Sequence, residues 1–417
     1  MNKSPSCQDE HDPNALTLEQ ARQRIAASIQ PLACAEQVFI RQALGRVLAQ
    51  DVRSGIDVPA YRNSAMDGYA LRGEDLPTTG ETRLRLAGTV LAGHPLTDSI
   101  AAGHCVRIMT GAPLPPELDT VVMQEHVRVE GDNVVIGAGH KPGQNVRQAG
   151  EDIPRGGVVL QRGRRLTPAD IGLLASLGIT EVRVSRRLRV AFFSTGDELR
   201  SLGETLDAGQ IYDSNRYTLH AMLSRLGVDI IDMGIVPDRR EAIAEALELA
   251  ARDADVVVTT GGVSVGEADY IKELLAQLGQ VDFWKIAIKP GRPLAYGKIE
   301  QAVFFGLPGN PVSAMVTFYQ FLQPALRRLM GENIGEPRTL QLPTRSRLRK
   351  RPGRMEFQRG ILVADGNGGW EVQSTGDQGS HILSSMSQAD CFIILPLEST
   401  GAEPGEHVTV QLFDGLV

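Results

Sequence analysis

Residues 255–270, DVVVTTGGVSVGEADY, bring a hydroxyl and two carboxylates into a glycine-rich stretch behind a short apolar run. The valines and threonines predict a buried strand, and Gly261 and Gly262 end it because glycine permits a tight turn. Ser264, Gly266, Glu267 and Asp269 come next, and YIKELL predicts the opening of a helix. An open α/β sheet places its ligand at such a strand-to-helix loop, where backbone N–H groups favour an anion. The same loop also reads as a solvated turn with Asp269 as a plain N-cap.

Four further polar loops follow predicted strands: STGDE at 194–198, Pro237-Asp238, Lys285 with KPGR at 289–292, and LPGNP at 307–311. In a parallel sheet these loops share the carboxyl edge, which turns five weak signals into one expected site. Glu198, Asp238, Glu267 and Asp269 are hard oxygen donors suited to Mg2+. Ser264, Lys289 and Arg292 suit an oxyanion, with lysine as a point charge and arginine as a fork. Asn310-Pro311 predicts a helix start whose first N–H groups could hold a phosphate. A metal beside such a ligand implies phosphoryl or nucleotidyl chemistry, or the handling of a tetrahedral oxyanion. Each residue alone is equally explained by helix capping, but their concentration on one edge is not. The chain has no GxxxxGK[ST] motif, so Walker-type ATP binding is not expected.

Two other constellations stand apart. NSAMDGYA at 63–70, MTGAP at 109–113 and RQAGED at 147–152 each set a polar residue beside glycine or a small residue, although composition alone favours ordinary turns. Near the C-terminus, Arg345, Arg347, Arg349, Lys350 and Arg351 read as a solvated charged face, whereas Arg359 and Gly379-Ser380-His381 are expected to face a ligand.

These residues need a scaffold of several parts. Helical spacing at 16–29, with Thr17 as N-cap, recurs at 37–48 and at 168–177, where Thr167 caps and Pro168 sits at the first helical position. Between them lie short β-prone runs at 82–90, 105–109, 120–129 and 133–136, which read as an inserted all-β module. From 188 the rhythm is strand, loop, helix: strands at 228–235, 281–288 and 302–305, helices at 215–226, 239–251 and 310–330. Alternation of this kind implies a parallel, doubly wound sheet. After 331, short strands at 360–364, 371–374, 391–395 and 407–412 predict a small barrel or sandwich. The fold class expected is thus multidomain α/β: a central doubly wound domain (187–330), an inserted β-rich domain (54–153), a helical linking domain (11–53 plus 154–186) and a C-terminal β-barrel (331–417).

The chain has 417 residues, 42% of them hydrophobic, and a net charge of 43 − 50 = −7. That charge argues against broad nucleic-acid binding while leaving room for a local anion site. The cysteines at 7, 34, 105 and 391 are widely spaced, so neither a zinc site nor a disulfide framework is indicated. The first fifteen residues lack an apolar leader core and read as disordered, and no apolar run approaches the ~18 residues of a membrane span. A cytoplasmic location, with no membrane or nucleic-acid partner, is expected.

Read together, NSAMDGYA, RIMTGAPLP, GEDI, STGDEL, GGVSVGEADY, KPGRP, GLPGNPVSA and PGRMEFQRG resemble the MoeA family, whose eukaryotic counterparts include the gephyrin E-domain. The resemblance runs from about residue 16 to the end. It implies a four-part subunit, a homodimer, and insertion of molybdate into adenylylated molybdopterin with Mg2+ and release of AMP. It also implies site roles. Ser264, Lys289, Arg292 and Arg359 would hold the oxyanion, in a loop that Lys285 precedes. Glu198, Asp238 and Asp269 would form the acidic, metal-linked group. Asp67, Thr110, Arg147 and Asp152 would complete the site across the dimer, Pro308 and Pro311 would shape the closing loop, and Ser380 would sit near Arg359. Arg292 stands where lysine is also common in the family, and the N-terminal tail diverges. Two other readings are a molybdopterin adenylyltransferase, which resembles the α/β module alone, and a scaffold or receptor-binding module of the gephyrin E-domain type. A pterin adenylyltransferase and proteins that accept the cofactor are the partners implied.

Overall fold

The computed structural model describes residues 12, 14–261 and 269–413, with backbone alone for 269–272. The chain divides into two compact units, one of Met1–Glu36, Gly45–Ala49 and Arg183–Val417 and the other of Gln37–Leu44 and Gln50–Val182. Among the described residues no helix is long and apolar enough to cross a membrane.

The first unit is organised by strands β1 (Arg189–Thr195), β2 (Asp229–Val236), β3 (Val256–Thr260), β4 (Gly279–Lys285), β5 (Ile288–Lys289), β6 (Pro293–Ile299) and β7 (Ala302–Leu307). All but β5 join one sheet in the order β2-β1-β3-β7-β6-β4. β1, β2, β3 and β7 are parallel, while β6 runs antiparallel to both β7 and β4. The sheet is therefore mixed, not parallel throughout, and the strand expected over 281–288 is one arm of a hairpin. The other arm, PLAYGKI, is masked in the sequence by its proline, glycine and lysine, although proline is tolerated as the first residue of a strand.

Both faces of this sheet are covered. Val190 and Phe192 point into a core shared with Leu219, Met222 and Leu223 of the helix Ser214–Leu226. Ala191 and Phe193 point the other way, against Ile243, Ala246, Leu247 and Ala250 of the helix Arg240–Asp253. That i, i+3, i+4, i+7 spacing is the buried stripe of an amphipathic helix. Two-sided burial also explains why β1, β3 and β7 are near-continuous apolar runs.

The helix expected over 310–330 is interrupted. Pro311–Thr317 and Gln323–Leu329 are α-helical, and Phe318–Leu322 between them is a π-helical turn. Pro324 explains the break, because it has no N–H to donate to the carbonyl of Gln320 four residues earlier. Arg22 takes up that carbonyl instead, donating from Nε at 3.1 Å. Arg22 lies on the helix Leu18–Ser28, which Thr17 and Gln20 start with a capping box.

The helix expected over 37–48 does not form. The chain makes a strand at Ala35–Phe39 and a 3-10 turn at Ile40–Gln42. Phe39 and Leu44 are exposed while Val47 and Leu48 are buried, and Gly45 adopts φ +73°, so no continuous helical face exists.

The second unit is built on a six-stranded sheet in the order Thr120–Met123, Gly68–Leu71, His104–Ile108, Glu81–Val90, Asn133–Gly137, Val127–Glu130. The run expected over 120–129 is split by a 3-10 turn, Gln124–His126, whose first N–H donates to the Asp67 carbonyl. Thr167 and Asp170 form a capping box at the start of the helix Pro168–Ser176.

The C-terminal strands are β8 (Thr339–Pro343), β9 (Met355–Ala364), β10 (Trp370–Ser374), β11 (Cys391–Leu395) and β12 (His407–Leu412). They pair antiparallel in the sequence β9-β11-β12-β8, and β10 pairs the far half of β9. A bridge from Thr344 to Val372 links the end of β8 back to β10, around a core of Val372, Ile393, Val408 and Val410. At the other edge of β9, the two residues of β5 add in parallel, with Ile288 opposite Met355 and Lys289 opposite Glu356. The expected solvated run is broken at Lys350, which is buried and donates to the carbonyls of Arg351, Leu397 and Ser399. Among the described residues Cys34, Cys105 and Cys391 are free thiols.

Candidate functional site

β1, β2, β3, β4 and β7 end at Thr195, Val236, Thr260, Lys285 and Leu307, and all point the same way. Their loops thus leave one edge of the sheet. The chain passes from β1 out to β2, then back across β1 to β3, so the connections diverge between β1 and β3. Open α/β sheets bind their ligands at the crevice such a reversal creates.

Glycine lets these loops approach. Gly261, at φ +90°, comes so close to β1 that a Cβ there would lie 2.4 Å from the Thr195 carbonyl oxygen. Gly309 in the loop after β7 lies beside Gly261, at 3.7 Å from an added Cβ to its Cα. Asn215 fastens the two loops, donating from Nδ2 to the Thr260 hydroxyl at 2.8 Å and to the Gly309 carbonyl at 2.7 Å. Thr260 in turn donates to the buried Pro308 carbonyl at 3.3 Å. Sequence reasoning missed Asn215, whose one signal is its place in the first turn of a helix capped by Asp213.

The acidic side of the edge is formed by the loops after β1 and β2. Glu198 is exposed and folds back over Gly196, where a Cβ would meet its carboxylate at 2.5 Å. Asp238 is exposed, and its N–H donates to the Asp197 carboxylate at 3.3 Å. Asp197, which the sequence marks only as part of the STGDE loop, therefore joins the two loops that carry Glu198 and Asp238. Ser264 and Glu267 lie outside the described residues, as does the side chain of Asp269, which begins the helix Asp269–Leu278. Among the described residues no three His, Cys, Asp or Glu side chains gather closely enough to hold a metal. Glu198 and Asp238 do offer the oxygen donors that Mg2+ prefers.

The cationic side is the hairpin between β4 and β6. Lys285 and Arg292 both reach the Asp12 carboxylate, at 3.3 and 3.0 Å. The Asn14 N–H, joined by these two cations, holds the Asp12 carboxyl below the usual carboxylate range. This pair thus already grips an anionic oxygen in the folded chain. Lys289, half exposed, reaches Glu356 at 3.1 Å.

Arg359 departs from expectation. It is 1% exposed, packed inside rather than open to a ligand. Its Nε donates to the Ser385 hydroxyl at 2.9 Å and its Nη2 to the Gly379 carbonyl at 3.0 Å. Burial pushes its pKa down to about 10, which leaves it charged at neutral pH. Arg359 therefore secures the 378–382 loop. Ser380 in that loop is half-buried, and its carbonyl accepts the Val312 N–H at 3.1 Å. Pro311 has no N–H and that of Val312 is taken, so the helix start expected to receive a phosphate is already capped by Ser380.

In the second unit, antiparallel pairing of Gly68 with Ile108 brings Asp67 next to Thr110. One Asp67 oxygen accepts the Thr110 N–H and the Thr110 hydroxyl, both at 2.7 Å. Arg147 pairs across from Asn63, and Gly111 donates to the Ser64 carbonyl at 2.8 Å, so the three expected loops are laced together. Asp152 is exposed, its N–H bound to the Val58 carbonyl. Ile56, Tyr61 and Met66 also stand exposed along these segments, at 43%, 49% and 43%.

Three family models match in order: the MoeA N-terminal region (domain I and II) over residues 16–178, a probable molybdopterin binding domain over 191–328, and the MoeA C-terminal region (domain IV) over 341–413. The chain is 45% identical over 404 residues to a molybdopterin molybdenumtransferase of Haemophilus influenzae, covering 96% of this chain and 100% of that protein. It is 35% identical to gephyrin of Dictyostelium discoideum, over 90% of this chain and 59% of that one. The crystal structure of a molybdopterin biosynthesis moeA protein from Pyrococcus horikoshii OT3 matches with a TM-score of 0.84 at 30% identity, covering 96% of this chain and 100% of that one.

Proposed function

Since this chain belongs to the MoeA family, we propose that it is a molybdopterin molybdenumtransferase, inserting molybdenum in the biosynthesis of the molybdenum cofactor. The observation that carries this reading is 45% identity to such an enzyme along nearly the whole chain. The adenylyltransferase alternative would need only the central module, whereas the matches at 16–178 and 341–413 flank it on both sides.

The substrates proposed are molybdate and adenylylated molybdopterin, with AMP released. Molybdate is a tetrahedral dianion and needs concentrated positive charge. Lys285, Lys289 and Arg292 supply it from one hairpin, with Ser264 as a hydroxyl donor. The grip of Lys285 and Arg292 on Asp12 supports this assignment. Arg359 and Ser380 act by holding the 378–382 loop against the segment shaped by Pro308 and Pro311. Glu198, Asp238 and Asp269 would hold Mg2+, which when bound supplies Lewis-acid activation of the phosphoanhydride. Glu267 has no role assigned.

Asp67, Thr110, Arg147 and Asp152 are proposed to complete the site in a homodimer. The exposed Ile56, Tyr61 and Met66 beside them support a covered surface there. The four-part division with boundaries at 53/54, 153/154, 186/187 and 330/331 belongs to the same reading, as do a pterin adenylyltransferase as supplier and cofactor-accepting proteins as recipients.

The test is molybdate-dependent AMP release from adenylylated molybdopterin with Mg2+. Asp269→Ala should still bind the pterin adenylate and lose that release. Near-normal turnover by this variant would sink the metal assignment. Formation of the adenylate from ATP and molybdopterin by the wild-type protein would favour the adenylyltransferase instead.

A further inference from the structure

We propose that Glu356 is a positioning residue for the oxyanion site, aiming the Lys289 ammonium from the C-terminal sheet. The inference rests on the reading that Lys289 faces molybdate. It starts from register. β5 adds to β9 in parallel with Lys289 opposite Glu356, and paired residues of neighbouring strands project from the same face. The Lys289 Nζ donates to Glu356 Oε1 at 3.1 Å. The Lys289 side chain is 47% exposed and that of Glu356 only 6%, so the ammonium sits at the surface on a carboxylate fixed beneath it.

Glu356 is itself held. Its second oxygen accepts from Gln358 Nε2 at 3.0 Å, and the same nitrogen donates to the Arg349 carbonyl at 3.0 Å. Lys350 and Arg359 also feel the field of Glu356, but the Lys350 ammonium is committed to three carbonyls at 2.9–3.1 Å and the Arg359 guanidinium bonds Ser385 and Gly379. Lys289 is thus the cation to which Glu356 presents its remaining oxygen. A buried carboxylate without a partner is strongly unfavourable. A lysine carries its point charge on a flexible four-carbon stem. The pair therefore satisfies Glu356 and removes freedom from Lys289. A cation that holds the anion equally before and during the reaction changes KM more than kcat.

Initial rates of AMP release at varied molybdate, with thermal melts, test this on the full chain for Glu356→Ala, Glu356→Gln, Lys289→Met and the Lys289→Met/Glu356→Ala pair. Glu356→Ala should raise the molybdate KM by about fivefold or more while kcat stays within about twofold. Glu356→Gln keeps an acceptor oxygen and should recover most of the KM. The double variant should bind molybdate no worse than Lys289→Met alone. If Glu356→Ala does not fold, Glu356→Asp, which retracts the carboxylate by one methylene, carries the same expectation. An unchanged KM in Glu356→Ala or Glu356→Asp, alongside a raised KM in Lys289→Met, overturns the positioning role alone. An unchanged KM in Lys289→Met overturns the parent reading, and this inference with it. Equal loss of kcat in the Ala and Gln variants, tracking their melting temperatures, reduces Glu356 to a structural part and also overturns the proposal.

Discussion

One oxygen of Asp67 receives two hydrogen bonds from Thr110, through its N–H and its hydroxyl, each at 2.7 Å. The bond from the Thr110 N–H, aided by that from its hydroxyl, holds the Asp67 carboxyl below the usual range, so it stays ionised where a free carboxylate protonates. The two residues lie 43 positions apart and meet because two strands of the second unit are neighbours.

Thr110→Val removes the hydroxyl and keeps the N–H. The Asp67 titration midpoint, followed by carboxyl-carbon NMR, should rise toward the free value without reaching it. Asp67→Ala should cut AMP release by about tenfold or more, on the scale of a lost transition-state contact. The melting temperature should hold, since the side chain is exposed. A parallel collapse of stability and activity would count against a role in the reaction.

Gly261 and Gly309 make a matched pair of probes. Gly261→Ala puts a methyl 2.4 Å from the Thr195 carbonyl at φ +90° and should cost about 1–3 kcal/mol or more in urea unfolding. Gly309→Ala meets only an ordinary contact at 3.7 Å and should stay within about 0.5 kcal/mol of wild type. Equal costs would contradict the loop geometry.

Asp255 carries a pH signature. Burial alone would raise its pKa, but the Arg186 guanidinium, bonded to both oxygens at 2.7 Å, and the Arg189 N–H outweigh it, and the net displacement is downward from 3.8. A carboxylate with a depressed folded pKa contributes stability that is present above its unfolded pKa and is lost as pH falls through the folded one. Asp255→Asn should therefore lose about 1–3 kcal/mol near neutrality and flatten the acid limb below about pH 4. Urea midpoints from pH 7 to pH 3 measure both effects. An acid limb as steep as that of wild type would show that another carboxylate controls it.

Much of this architecture is legible in local pattern. β1 and β3 announce themselves because burial on both faces leaves no polar alternation. The helix Arg240–Asp253 shows its stripe, and Thr17, Thr167 and Pro311 mark helix starts by capping chemistry. What is not legible is set at long range. β5 is two residues long and exists because β9 lies beside it. Arg359 reads as exposed beside glycines, yet Gly379 and Ser385, 20 and 26 positions on, enclose it. The cations at 285, 289 and 292 are visible as a cluster, but their partners Asp12 and Glu356 are not, because nothing local ties them to that loop. Asn215 is hidden for the same reason: its function lies in Thr260 and Gly309.

The carbonyl that Pro324 leaves open at Gln320 is met by a side chain 298 positions earlier. On the ribosome, the helix bearing Arg22 is made long before Gln320, its partner. The six-stranded sheet of the unit of Gln37–Leu44 and Gln50–Val182 is complete by Gly137, so it can form while later residues are still being made. Leu18, Ala21 and Ile25 enter a core whose other buried members, Ile29 and Val47 apart, lie from Leu188 onward. A proline that looks like a flaw in a helix thus leaves a carbonyl for a helix made 298 residues earlier to bind.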